Sequence, residues 1–265
     1  MKLRAWLVAV VMPVVACRSS PAAVQHDPAT EAGPVASVAS PPSLPSSASS
    51  PAVAAPPAPP ADAPAVPVHV EAFPEEKAYV LRGSRSRSYA VLFGGQCSQP
   101  QGYVESIQLA AARHTQLVAL QGDKPCTGDF KGWSFDLEAL SRRIDRTFLA
   151  LGFGQPRDVL LIGYSQGASV AQMLAQKEPE KYTRFVLIAQ PRQPEPWHFK
   201  KARSVATMAG TLDRQDHMVR GARALEDAGV RARYFPLPGA PHGYMGTDPE
   251  GTFEKVFTWL DEAGP

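Results

Sequence analysis

The stretch DVLLIGYSQGASVAQ (residues 158–172) runs from an acidic residue through an aliphatic run into Gly-Tyr-Ser-Gln-Gly, then becomes helical in composition. The aliphatic half has no polar alternation. That is the pattern of a strand buried on both faces, as in the middle of a parallel sheet. Gly163 and Gly167 flank Ser165 at i−2 and i+2. Without Cβ atoms they let a strand and the next helix meet through a very tight turn. The serine at its apex is forced into an unusual backbone conformation with its hydroxyl exposed. The unpaired N–H groups of the helix's first turn face the same point. The plain alternative is a serine that only caps a helix.

Outward from this point, apolar runs alternate with amphipathic ones. Strands are expected at 89–95, 116–122, 158–164, 184–190, 204–210 and 231–239, with an antiparallel edge strand at 78–83. Helices are expected at 103–114, 135–152, from 168 to Pro179, 217–229 and 251–263. In the second of these, Leu137, Leu140, Ile144 and Phe148 share one helical face. Alternation of this length implies a mostly parallel sheet with helices on both faces, an α/β fold. Ligands then bind at the carboxyl ends of the strands. Gly94–Cys97, Ser165, Asp213 and His242 all fall there.

A serine hydroxyl needs a base within hydrogen-bond reach, and the base needs an orienting acid. Of six histidines, His26 and His69 lie in or beside a Pro-rich segment, His114 and His217 in helical stretches, and His198 in a Pro-rich loop. His242 stands in the Gly/Pro-rich loop PLPGAPHGYMG between the last strand and the last helix. For the acid, GTLDRQD offers Asp213 in the turn and Asp216 nearer the next helix, where it suits a cap. The spacing favours Asp213 and leaves Asp216 as the alternative.

The order Ser165, Asp213, His242 resembles that of α/β-hydrolases over essentially all of 79–265, with GYSQG similar to their nucleophile elbow and GTLD and PHGY to the acid and histidine turns. The nearest likeness is to the small, nearly lidless members, the dienelactone hydrolase and carboxylesterase/phospholipase-like group. The resemblance implies an α/β-hydrolase fold and an oxyanion hole made by backbone N–H groups. These would be Gln166, after the nucleophile, and Gly95 after the first βα strand, with Gln96 the alternative. One departure is visible: LFGGQC has Phe93 where many members carry a histidine. In this fold Cys97 and Cys126 follow neighbouring strands, so a disulfide bracing the oxyanion loop is expected; two free thiols are the alternative. In PRQPEPWHFKKA (191–202), the only candidate cap, Trp197 and Phe199 are candidates for an acyl pocket or for packing.

The beginning of the chain is a different material. MKLRAWLVAVVMPVVAC has two early cations and an apolar run ending in Val-Val-Ala-Cys. It resembles the lipobox of bacterial lipoproteins, which implies a signal peptide at 1–16 and lipid on Cys17. Residues 17–72 are dominated by Pro, Ala, Ser and Val, cannot bury enough surface to offset ordering entropy, and read as a disordered tether. The hydrolase domain is expected at 73–265.

The net charge of +2 does not point to a nucleic-acid partner, and Arg82, Arg85 and Arg87 read as a solvated turn. No metal-ligand spacing, phosphate loop or dinucleotide fingerprint occurs, so no cofactor and no metal are expected. The expected function is an ester-cleaving serine hydrolase of the bacterial cell envelope, lipid-anchored and periplasm-facing, acting on a small-molecule ester. Amide or peptide cleavage and acyl transfer use the same triad. A catalytically silent envelope binding module is the reading from another class.

Overall fold

The computed structural model describes residues 70–73, 76–85 and 88–264. The signal peptide, Cys17 and most of the 17–72 segment lie outside the described residues. So does Arg87; its neighbours sit on the folded part, with Arg85 paired to Asp261 at 2.7 Å and Arg82 over the Phe153 ring at 5.7 Å.

Ten strands and six α-helices are described: β1 Val70–Phe73, β2 Ala78–Leu81, β3 Tyr89–Phe93, α1 Pro100–Ser106, α2 Gln108–His114, β4 Gln116–Leu120, β5 Lys124–Pro125, β6 Lys131–Gly132, α3 Leu137–Ala150, β7 Val159–Tyr164, α4 Gln166–Lys177, β8 Tyr182–Ile188, β9 Ser204–Gly210, α5 Asp216–Asp227, β10 Ala232–Leu237 and α6 Pro249–Asp261. Eight strands form one sheet in the order β1, β2, β4, β3, β7, β8, β9, β10, parallel from β4 to β10. β7 lies in its interior, with every residue buried.

The sheet separates two apolar layers. On one face Leu140, Ile144 and Phe148 of α3 pack with Val170 and Leu174 of α4 and Met218 and Leu225 of α5. On the other, Val104 of α1 and Ala110 of α2 meet Phe253, Val256 and Phe257 of α6. Two helix starts are fixed by side chains: Asp136 accepts from the Ala139 N–H and Asp248 from the Gly251 N–H, each at 2.9 Å.

Three expectations need correction. The edge strand is not 78–83. β1 pairs antiparallel outside β2, so residues 70–72, assigned from composition to the tether, are strand. The Pro-rich run ends at Pro67, and Val70–Phe73 offer their backbone to an open sheet edge. The single helix expected at 103–114 is two, broken at Ile107 (φ −129°, ψ 16°). The freed N–H groups of Leu109 and Ala110 donate to the Glu250 carboxylate at 2.9 and 2.7 Å, so a residue of α6 completes the break. Asp216 opens α5 without capping it and instead pairs with Arg220 at 2.8 Å.

Candidate active site

Ser165 joins β7 to α4 with φ 51° and ψ −114°. This is a conformation that L-residues with a side chain rarely hold, and the surroundings fix it. Its N–H donates to the Ile188 carbonyl of the neighbouring strand at 2.7 Å. The two glycines permit the turn by close approach. A Cβ on Gly163 would lie 2.4 Å from Ala168 Cα, and one on Gly167 would lie 2.2 Å from the Phe93 carbonyl oxygen.

The acid and histidine turns are tied together before they reach the serine. The Leu212 N–H donates to the Ala240 carbonyl at 3.1 Å and the Thr211 N–H to Leu237 at 2.9 Å. His242 then stands with Nδ1 2.7 Å from Asp213 Oδ2 and Nε2 3.1 Å from Ser165 Oγ. The structure therefore brings together three of the residues read from the sequence, and places Asp213, not Asp216, against the imidazole. The histidine side chain is 53% exposed and the aspartate 18%, so the imidazole faces solvent while the carboxylate is largely covered. The other described histidines are elsewhere: His114 lies between Asp261 and Glu254, and the His217 Nε2 is 2.6 Å from the Gln190 carbonyl oxygen.

Tyr164, one residue before Ser165, holds the histidine turn from below. Its hydroxyl accepts from the Gly243 N–H at 2.6 Å, and its ring lies edge-on to the His242 imidazole at 5.7 Å. Burial pushes the phenol up to about 12, so it stays protonated. Tyr103 stacks on it at 5.0 Å and is itself raised by burial.

The loop 94–99 passes the serine closely: a Cβ on Gly95 would stand 3.6 Å from the Ser165 Cβ. Both carbonyls of its turn are engaged on other sides. Trp133 Nε1 donates to the Gly94 carbonyl at 2.9 Å, and Ser98 Oγ donates to the Gly95 carbonyl at 2.9 Å. In a trans peptide the N–H points opposite to the C=O, so these bonds set the directions of the Gly95 and Gln96 N–H groups. Gln166 is tied to the same frame, its Oε1 accepting from the Trp133 N–H at 3.0 Å. Cys97 and Cys126 form a disulfide with Cα atoms 5.5 Å apart, and Ser98 bridges to Lys131 of the β5–β6 hairpin. Phe93 is fully buried, edge-on to Trp133 at 5.3 Å.

Trp133, Ser98, Tyr103 and Tyr164 did not emerge from the sequence. Trp133, Tyr103 and Tyr164 act through partners distant in the chain, and Ser98 through Gly95, three residues back. Of the two cap aromatics, Phe199 is buried against Phe185, whereas Trp197 is half-exposed. Among the described residues no group of three His, Cys, Asp or Glu could hold a metal ion.

No protein-family model matches the chain, and no curated protein matches it in sequence. Solved structures do resemble it. The carboxylesterase of Bacillus cereus superposes with a TM-score of 0.52 at 19% identity, covering 71% of this chain and 94% of that one. The fluorophosphonate-binding serine hydrolase FphF of Staphylococcus aureus gives 0.54 at 12%, covering 72% and 96%. Esterase 2 of Thermogutta terrifontis, phosphonylated by sarin, gives 0.53 at 16%, covering 77% and 97%. The fold is the α/β-hydrolase fold.

Proposed function

We propose that the protein is a serine hydrolase that cleaves carboxylic esters through an acyl-enzyme. What carries the reading is the continuous hydrogen-bond line from Asp213 Oδ2 through His242 to Ser165 Oγ, at 2.7 and 3.1 Å. His242 Nε2 takes the Ser165 proton as Oγ attacks the ester carbonyl, and returns it to the departing alcohol. Water, activated by the same nitrogen, then releases the acid. Asp213 fixes the imidazole tautomer and offsets the charge of the imidazolium. The N–H groups of Gly95 and Gln166 receive the tetrahedral oxyanion. No cofactor enters the scheme.

Labelling with a fluorophosphonate probe tests this directly. The wild-type protein should label and hydrolyse short esters, and Ser165→Ala should do neither. A wild type that fails to label, or a variant that labels equally, removes the hydrolase and leaves a binding module.

The residues before the domain carry a proposal on the same footing. Lipid on Cys17 anchors the protein in the cell envelope, and the Pro-rich segment holds the hydrolase domain off the membrane. Cys17→Ala should shift the protein from the membrane to the soluble fraction; an unchanged distribution would rule the anchor out.

A further inference from the structure

Along α4 lies an open groove of about 910 Å³ that the scheme above does not use and that none of Ser165, Asp213 and His242 lines. Its end nearest the serine is Ser169, in the first turn of α4 and four residues after Ser165. From there it runs between α4, the start of α3 and the loop after β8.

Its chemistry is uneven. Four amide side chains line it, Gln172, Gln176, Gln190 and Gln193, together with two exposed aromatics, Phe135 and Trp197. The Trp197 indole is half-exposed and stacked on His198, ring centroids 3.5 Å apart, which holds it as a flat platform. Gln190 and His198 are 1% and 7% exposed, yet Gln190 Oε1 and His198 Nδ1 have no hydrogen-bond partner among the described residues. The wall thus carries polar capacity that the protein leaves unspent, where buried polar groups are ordinarily paired. A small side-chain rotation, common on binding, brings such atoms to a ligand.

We infer that this groove binds the saccharide part of an O-acylated carbohydrate and so presents its ester to Ser165. The inference rests on the hydrolase reading. A sugar ring offers an apolar C–H face and a rim of hydroxyls that both donate and accept. The first fits an indole platform; the second fits amides, the neutral side chains that do both. An anionic ligand fits less well, because Asp136, Glu138 and Glu195 outnumber Lys177 and Arg192 along the groove, and Lys177 is bonded to Glu138. An extended peptide would need a strand edge to pair with, and the walls are helices α3 and α4 and a loop.

The test compares kcat/KM for mono-acetylated gluco-, xylo-, manno- and N-acetylglucosamine trisaccharides with that for ethyl acetate, and uses 4-nitrophenyl acetate as a general reporter. At least one trisaccharide should exceed ethyl acetate tenfold or more. That ratio should fall toward one in Trp197→Ala and in Gln176→Leu, two surface changes that spare the core, and should persist in Leu149→Ser, an exposed site on the outside of α3. If 4-nitrophenyl acetate is hydrolysed but no trisaccharide gains more than threefold, or the gain survives both groove variants, the saccharide site is wrong. A gain seen instead for N-acetylated amino-acid or peptide esters assigns the groove to peptides and also overturns it. If 4-nitrophenyl acetate is not hydrolysed, the hydrolase reading itself has failed. The groove is then judged by quenching of tryptophan fluorescence with the unacetylated trisaccharides, and no quenching ends the proposal.

Discussion

Trp133 holds two segments beside Ser165 at once: its indole N–H donates to the Gly94 carbonyl and its backbone N–H to the Gln166 side chain. One residue thereby couples the loop after β3 to the first turn of α4, the two places proposed to supply oxyanion donors. Trp133→Phe keeps most of the buried ring but leaves the Gly94 carbonyl unpaired. That peptide can then turn, and a displacement near 1 Å costs up to about a hundredfold. The expected result is a kcat lowered roughly tenfold to a hundredfold with KM nearly unchanged, measured on one soluble ester.

The two aspartates after β9 separate by substitution. Asp213→Asn leaves the imidazole in place but permits the wrong tautomer, and kcat should fall by about 10⁴. Asp216→Asn removes pairs with Arg220, Arg214 and His217 away from the Asp213–His242–Ser165 line and should stay within about twofold of wild type. Steady-state rates of the two variants, side by side, decide the assignment.

The disulfide closes a loop across 29 positions of the chain. In the chain-entropy model such a bridge contributes about 3–4 kcal/mol. For a domain of this size that is a fall in Tm of roughly 10 °C on reduction. Activity should decline at temperatures where the fold persists, because the bridge abuts the Gly95 turn. Melting curves with and without reductant show this, and the Cys97→Ser/Cys126→Ser double variant should be insensitive to reductant.

Burial lowers the His198 imidazole below its ordinary value, and Glu195, 3.7 Å from Nε2, opposes the effect without reversing it. The unfolded chain therefore binds a proton at higher pH than the folded one. Stability is full above the unfolded value of about 6.5 and is lost as pH falls from there through the folded value. Denaturant midpoints between pH 7.5 and 5 should drop for wild type and drop less for His198→Gln.

Much of this architecture can be read from the chain because it is written in local pattern. β7, β9 and α3 follow from unbroken aliphatic runs or from one apolar helical stripe, and Ser165 from the glycines on either side. The acid was legible only to within three residues, since Asp213 and Asp216 both follow β9. The choice depends on where the turn after β10 lies, and that is a tertiary fact. The break at Ile107 had no local signal either. The N–H of Ala110 that it frees is taken up by Glu250, 140 residues beyond Ala110. The same holds for Trp133, whose two hydrogen bonds reach 39 and 33 residues along the chain.

The chain enters the sheet at β1, on the edge opposite β10, with β2, β4 and β3 lying between it and the strand that bears the serine. Tension arriving through the preceding residues is therefore taken up first by the β1–β2 ladder, whose four antiparallel pairs can part without disturbing β7, β9 or β10. The seam nearest the leading segment and the turn at Ser165 thus lie three strands apart in one sheet, so a pull that parts β1 from β2 leaves the strands around Ser165 paired.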